Sequence, residues 1–203
     1  MDLDTPHGPA RVHLHEAAAP HGALVLGHGA GGGVGAPDLV AATAAAVGAG
    51  VSVALVEQPY RVAGRRSAAP AGQLDAAWVA VVEQLRAGAL AGLPVVTGGR
   101  SSGARVACRT AGATGAAGVL CLAFPLVTPK GASRQDELDG AGVPVLVVQG
   151  ENDRFGRPEP DPARDREVVV VGGDHGLKRD LDVVGAAVAA WLSSRPGRTP
   201  RRR

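Results

Sequence analysis

The sequence predicts an α/β fold, a mostly parallel sheet of about seven strands with helices on both faces. Three observations lead there. Runs of Val, Leu and Ala at 23–26, 51–56, 93–98, 117–123, 143–148 and 167–171 alternate with longer segments whose apolar residues recur at helical spacing. The runs are continuous rather than alternating, as strands buried on both faces require. Residues able to do chemistry fall just after the runs, where the carboxyl ends of parallel strands gather function.

Taken in order, 11–15 alternates well enough for an edge strand, with His13 and His15 on one face. Two histidines on a strand suit a metal pair, but solvent-facing histidines are the commoner case. The run 23–26 leads into Gly27-His28-Gly29-Ala30-Gly31-Gly32-Gly33, and Pro37-Asp38 then opens a helix to about Val47. The strand 51–56 ends at Glu57, Pro59 and Tyr60, and 61–71 reads as a loop. Leu74, Trp78, Val81, Val82 and Leu85 lie on one helical face. The strand 93–98 runs through Gly99-Arg100-Ser101-Ser102-Gly103 into a helix over 104–111. The strand 117–123 ends at Phe124, and 143–148 ends at Glu151, Asn152 and Asp153. After 167–171 comes Gly172-Gly173-Asp174-His175-Gly176, then a last helix carrying Leu181, Val184, Val188, Trp191 and Leu192.

Composition narrows the class. The chain has 203 residues, 45% of them hydrophobic and 20% charged, with aromatics at only 2%. The core is therefore expected to be Ala, Val and Leu, in one domain over 1–194. The net charge of +2 hides an asymmetry: the last nine residues hold five arginines, and the rest has 16 basic against 19 acidic residues. Residues 195–203 read as a disordered basic tail, and the mildly acidic body argues against a nucleic-acid partner. Cys108 and Cys121 fall in apolar elements, which suits free thiols in a reducing cytoplasm. The polar start does not read as a signal peptide, and no apolar run approaches the length expected of a membrane span.

Strand, G-x-S-x-G, helix is the pattern of a nucleophile elbow, with Ser101 at its apex. A serine hydroxyl needs a base, and the base an orienting carboxylate. Of six histidines only His175 follows Ser101, in the chain order Ser, acid, His that such sheets use. Asp153 is the preferred acid and Glu151 its local rival; Asp161 and Asp165 lie further along the loop, and Asp174 is expected to serve its own loop backbone. The Ser102 N–H, at a helix start, suits one oxyanion donor. Arg100 has two readings: a clamp for an acidic substrate group, or an elbow arginine pinned to neighbouring carbonyls or acids, with the second preferred.

The ordered set HGAGGG, GGRSSGAR, FPL, QGENDRFG and GGDHGLK resembles the α/β-hydrolase superfamily over about residues 8–194. More narrowly it resembles the small, capless, dienelactone-hydrolase-like members. Nearest among these are compact predicted hydrolases whose domain also occurs in a subunit of a chromatin-associated non-specific-lethal complex. The resemblance implies Ser101, Asp153 and His175 as a triad. The HG-x turn of such enzymes implies the Ala30 N–H as second oxyanion donor, with Gly31 next. Dienelactone hydrolases proper use a Cys nucleophile, which is absent here. The implied activity is hydrolysis of a small ester or thioester, with no cofactor, metal or membrane partner. Glu57, Tyr60, Phe124 and Phe155 are the further candidates for substrate contact. Residues 125–142 are too few and too rich in Pro and Gly to build a cap domain.

Two other readings compete. Gly27 to Gly32 also satisfies G-x-G-x-x-G, with Glu57 placed where a ribose-binding acid would sit. That dinucleotide reading leaves Ser101, Asp153 and His175 unexplained. A hydrolase fold kept as a binding or scaffold module is the other, and it predicts a lost triad position, which this sequence lacks.

Overall fold

The computed structural model describes residues 1–194, so the expected tail at 195–203 lies outside the described residues. Eight strands form one sheet: β1 (Asp2–Leu3), β2 (Ala10–His15), β3 (Gly22–Gly27), β4 (Val51–Glu57), β5 (Val95–Arg100), β6 (Val119–Leu122), β7 (Val145–Gly150) and β8 (Arg166–Val171). Their spatial order is β1-β2-β4-β3-β5-β6-β7-β8. β1 and β2 pair antiparallel, as do β2 and β4, and every other pairing is parallel. Among the described residues five α-helices lie between them and a sixth follows the last strand: α1 (Pro37–Gly48), α2 (Pro59–Val62), α3 (Ala71–Ala87), α4 (Ser102–Thr114), α5 (Gln135–Asp139) and α6 (Leu181–Ser194).

The sheet departs from expectation at its first edge. β2 is not the edge strand, because Asp2–Leu3 pairs outside it, with Leu3 opposite Ala10. The N-terminal amine adds a 2.8 Å bond to the Val12 carbonyl. Two residues are too few for periodicity to show in a sequence.

Helices cover both faces. Leu39 and Ala42 of α1 and Val184, Val188 and Trp191 of α6 pack on Leu24, Leu26, Leu120 and Leu146. On the other face Trp78, Val81 and Leu85 of α3 meet Val25, Ala54 and Val95, and α4 covers β6 and β7. With few aromatics, close fit comes from small side chains. Ala104, Ala107, Cys108 and Ala111 of α4 are fully buried, and the free Cys108 and Cys121 thiols lie 3.6 Å apart there.

The strand order places the site. From β3 the chain crosses to β4 on one side, and from β5 to β6 on the other. The loops after these adjacent strands part to opposite faces and leave a crevice at their carboxyl ends, the position where open α/β sheets bind ligands. Between β6 and β7 stand only the five-residue α5 and a bridge from Val127 to Ser133, so no cap forms. No helix among the described residues is long and apolar enough to cross a membrane.

Candidate active site

The elbow sits at the crevice. Ser101 has φ 52° and ψ −104°, a backbone conformation that side-chain-bearing residues rarely adopt. It is held there from both sides. Its N–H donates to the Leu122 carbonyl at 2.9 Å, and its carbonyl accepts the Arg105 N–H as α4 begins. Gly99 and Gly103 permit the turn, because a Cβ on either would strike the Gly27 carbonyl oxygen.

The structure brings Ser101, His175 and Asp153 together. His175 Nε2 lies 2.8 Å from Ser101 Oγ, and His175 Nδ1 lies 2.7 Å from Asp153 Oδ2. A carboxylate only accepts, so Nδ1 carries the proton and Nε2 is left to accept from the serine hydroxyl. Asp153 Oδ1 accepts the Phe155 N–H at 2.8 Å. The Phe155 ring packs edge-on against the imidazole at 4.7 Å, fixing its plane.

One support went unread in the sequence. Gln149, the fully buried penultimate residue of β7, turns its Nε2 to Asp153 Oδ2 at 2.7 Å and to the Phe124 and Gly156 carbonyls at 3.1 and 2.9 Å. Three acceptors around one atom assign it as the amide nitrogen. Only its position, a polar residue closing an apolar strand, could have marked it. The rival acids are elsewhere. Glu151 is exposed and accepts from Asn152, Asp161 caps a short turn through the Ala163 N–H, and Asp165 sits just beyond that turn. Asp174 accepts the Gly176 N–H within its own loop.

The glycine loop is clamped peptide by peptide. The Gly29 carbonyl accepts from the Gly32 N–H at 3.1 Å and from His28 Nδ1 at 2.8 Å. His28 Nε2 accepts the Gln58 N–H at 3.1 Å, so His28 is neutral with its proton on Nδ1, and burial holds its pKa below the usual value. The Tyr60 hydroxyl donates to the Ala30 carbonyl at 2.8 Å. In a trans peptide C=O and N–H point opposite ways, so fixing the Gly29 carbonyl also fixes the direction of the Ala30 N–H.

Arg100 takes the pinned reading, not that of a substrate clamp. Its Nη2 donates to the His175 carbonyl at 2.8 Å, and its Nε lies 3.1 Å from Asp38 Oδ2. Asp38 is fully buried in the first turn of α1. Burial raises its pKa to about 6, and the Arg100 charge opposes that rise without cancelling it. Neither carboxylate oxygen makes a well-directed hydrogen bond within the described residues.

A cleft of about 260 Å³ opens beside Ser101 and Ser102, lined by Ala30, Leu74, Pro125 and Phe155 and by three arginines. Three expected contacts are corrected. Phe124 is wholly buried under α4, and only its carbonyl, through Gln149, bears on the site. Tyr60 is also buried and acts on the Ala30 carbonyl rather than lining this cleft. Glu57 is turned to β2, where its Oε1 lies 2.7 Å from His13 Nε2. That contact also accounts for His13, and no group of three or more potential metal ligands occurs among the described residues.

A sheet with its crevice at β3 and β5, an elbow serine and a histidine bonded to it define an α/β hydrolase architecture. The model of the alpha/beta hydrolase domain family matches residues 20–183, and the chain belongs to that family. Solved structures agree in fold. Est1E from Butyrivibrio proteoclasticus, seen with ferulic acid, superposes with a TM-score of 0.77 at 16% identity, covering 98% of this chain and 100% of its own. A serine hydrolase from Xanthomonas campestris, described as lacking a lid, gives 0.74 at 20% identity, covering 98% and 95%. Dienelactone hydrolase from Anabaena variabilis gives 0.75 at 16% identity, covering 96% of each chain. No curated protein sequence matches.

Proposed function

We propose that the chain is a serine hydrolase that cleaves a small ester or thioester through an acyl-enzyme. The carrying observation is the run of two hydrogen bonds from Asp153 through His175 to Ser101, a serine at positive φ. His175 Nε2 takes the hydroxyl proton as Ser101 Oγ attacks the carbonyl carbon. The oxyanion is received by the N–H groups of Ser102, unpaired as the first residue of α4, and Ala30. His175 then protonates the departing alcohol or thiol, and water repeats the cycle on the acyl-enzyme. Asp153 holds the tautomer, and Gln149 and the Phe155 N–H hold Asp153. The dinucleotide alternative gains no support, because the first turn of α1, where a pyrophosphate would sit, already holds the Asp38 carboxylate.

A fluorophosphonate probe tests the reading. Wild type should be labelled, and Ser101→Ala should not. The shallow, lidless cleft should favour acetyl and butyryl esters over octanoyl and palmitoyl in kcat/KM, without a jump in rate above the substrate's solubility limit. Labelling that survives Ser101→Ala, or no labelling of folded wild type, would overturn the assignment.

A further inference from the structure

The cleft beside Ser101 is basic in a way that the two hydrogen bonds do not require. Arg105 and Arg109 follow Ser101 on one face of α4, about 6 and 12 Å along the axis at 1.5 Å per residue. Arg134, from the segment after β6, lines the same cleft. The first two are already committed. Arg105 makes a bidentate pair with Glu137 at 2.7 and 2.6 Å. Arg109 makes another with Asp75 at 2.9 and 2.6 Å and reaches Glu137 with its Nη1 at 3.1 Å.

Arg134 is different. Its Nη1 donates to the Pro125 and Val127 carbonyls, each at 3.1 Å, and it enters no ion pair among the described residues. Two carbonyls hold the guanidinium in place without neutralising it, and Nε and Nη2 keep donors to offer. Three guanidiniums thus share two carboxylates, and one positive charge is left over at the cleft. Burial, with Arg105 and Arg109 nearby, holds the Arg134 pKa below its usual value, as expected in a field short of negative charge.

Given the acyl-transfer reading above, we propose that the substrate's acyl chain carries a carboxylate, which Arg134 receives, so that the preferred substrates are half-esters or half-thioesters of small dicarboxylic acids. The acyl side is indicated by what lines the cleft. Ser101 and Ser102 do, but His175, which must stand beside the leaving group to protonate it, does not. A planar guanidinium whose Nε–Nη2 edge stays free suits a carboxylate. The wall of alanine, proline and leucine suits the short methylene chain between the two ends.

The test compares mono-(4-nitrophenyl) adipate with 4-nitrophenyl heptanoate, of similar length but uncharged. Wild type should favour the adipate in kcat/KM by about tenfold to a hundredfold, the scale of one charge-assisted hydrogen bond, and added salt should shrink the gap. Arg134→Gln should remove the preference, and Arg134→Lys, which keeps the charge, should restore part of it. Equal losses on both esters in Arg134→Gln would mean that the arginine only holds the Pro125 segment, which overturns the proposal. So would a wild type that favours the heptanoate or treats the two alike. Failure of the hydrolase reading is seen separately: neither ester would then be turned over in a Ser101-dependent way.

Discussion

Replacing Asp38 with asparagine should change how stability depends on pH. Asp38 is fully buried, and its pKa stands at about 6 against an ordinary 3.8. In the unfolded chain it titrates near 3.8. Because the folded pKa is the higher one, the folded state binds the extra proton between these limits. Stability is therefore fullest below about pH 4 and is lost as pH rises to about 6. At about 1.36 kcal/mol per pH unit, the gap amounts to roughly 3 kcal/mol. An asparagine in this place has nearly the same shape but does not titrate. Urea unfolding of both proteins at half-unit steps from about pH 4 to 7 gives the difference in unfolding free energy. Other groups titrate in both proteins and cancel, provided that they do not couple to this site. The difference should move in favour of Asp38→Asn by about 3 kcal/mol and level off above about pH 6. A flat difference would mean that Arg100, at 3.1 Å, fully offsets the burial of the carboxylate. Movement in the opposite direction would refute the reasoning outright.

Three further outcomes are expected. Tyr60→Phe removes the hydroxyl that holds the Ala30 carbonyl and should lower kcat/KM by about three- to tenfold with little change in Tm, the scale of one neutral hydrogen bond. Gln149→Leu leaves the Phe124 and Gly156 carbonyls and Asp153 Oδ2 short of a donor, and should cost about 1–3 kcal/mol in urea unfolding as well as activity. Ser101→Gly should abolish turnover yet stabilise the fold by about 1–3 kcal/mol, because glycine tolerates φ 52° and ψ −104° without strain; a destabilised variant would show that the elbow stores none.

The sequence carried the parallel sheet and the site-bearing loops because both rest on local signals. Buried strands are continuous apolar runs, and the elbow needs glycines two places either side of its serine. Chain order leaves one histidine after Ser101. What stayed hidden depends on long-range approach. Asp2–Leu3 becomes a strand only because β2 offers it an edge. Gln149 is an ordinary polar residue until the loop after β7 folds its acceptors around it. Phe124 and Tyr60 sit next to the rim in sequence, but an aromatic side chain is worth more buried than exposed, and each turns inward.

Arg100 and Arg134 show why proximity in sequence is a poor guide to charge at a site. Arg100 adjoins the nucleophile, but a buried Asp38 and the His175 carbonyl both stand within its reach, so its charge goes to holding the histidine loop. Arg134 stands 33 positions beyond Ser101 in a segment without apolar periodicity. It arrives beside the nucleophile because the short connection between β6 and β7 has no core of its own and must lie against α4. Two carbonyls then fix the guanidinium while Glu137 is taken up by Arg105 and Arg109. The side chain that keeps an unspent charge is the one whose acids were claimed by its neighbours, a property of the assembled cluster rather than of any residue in it.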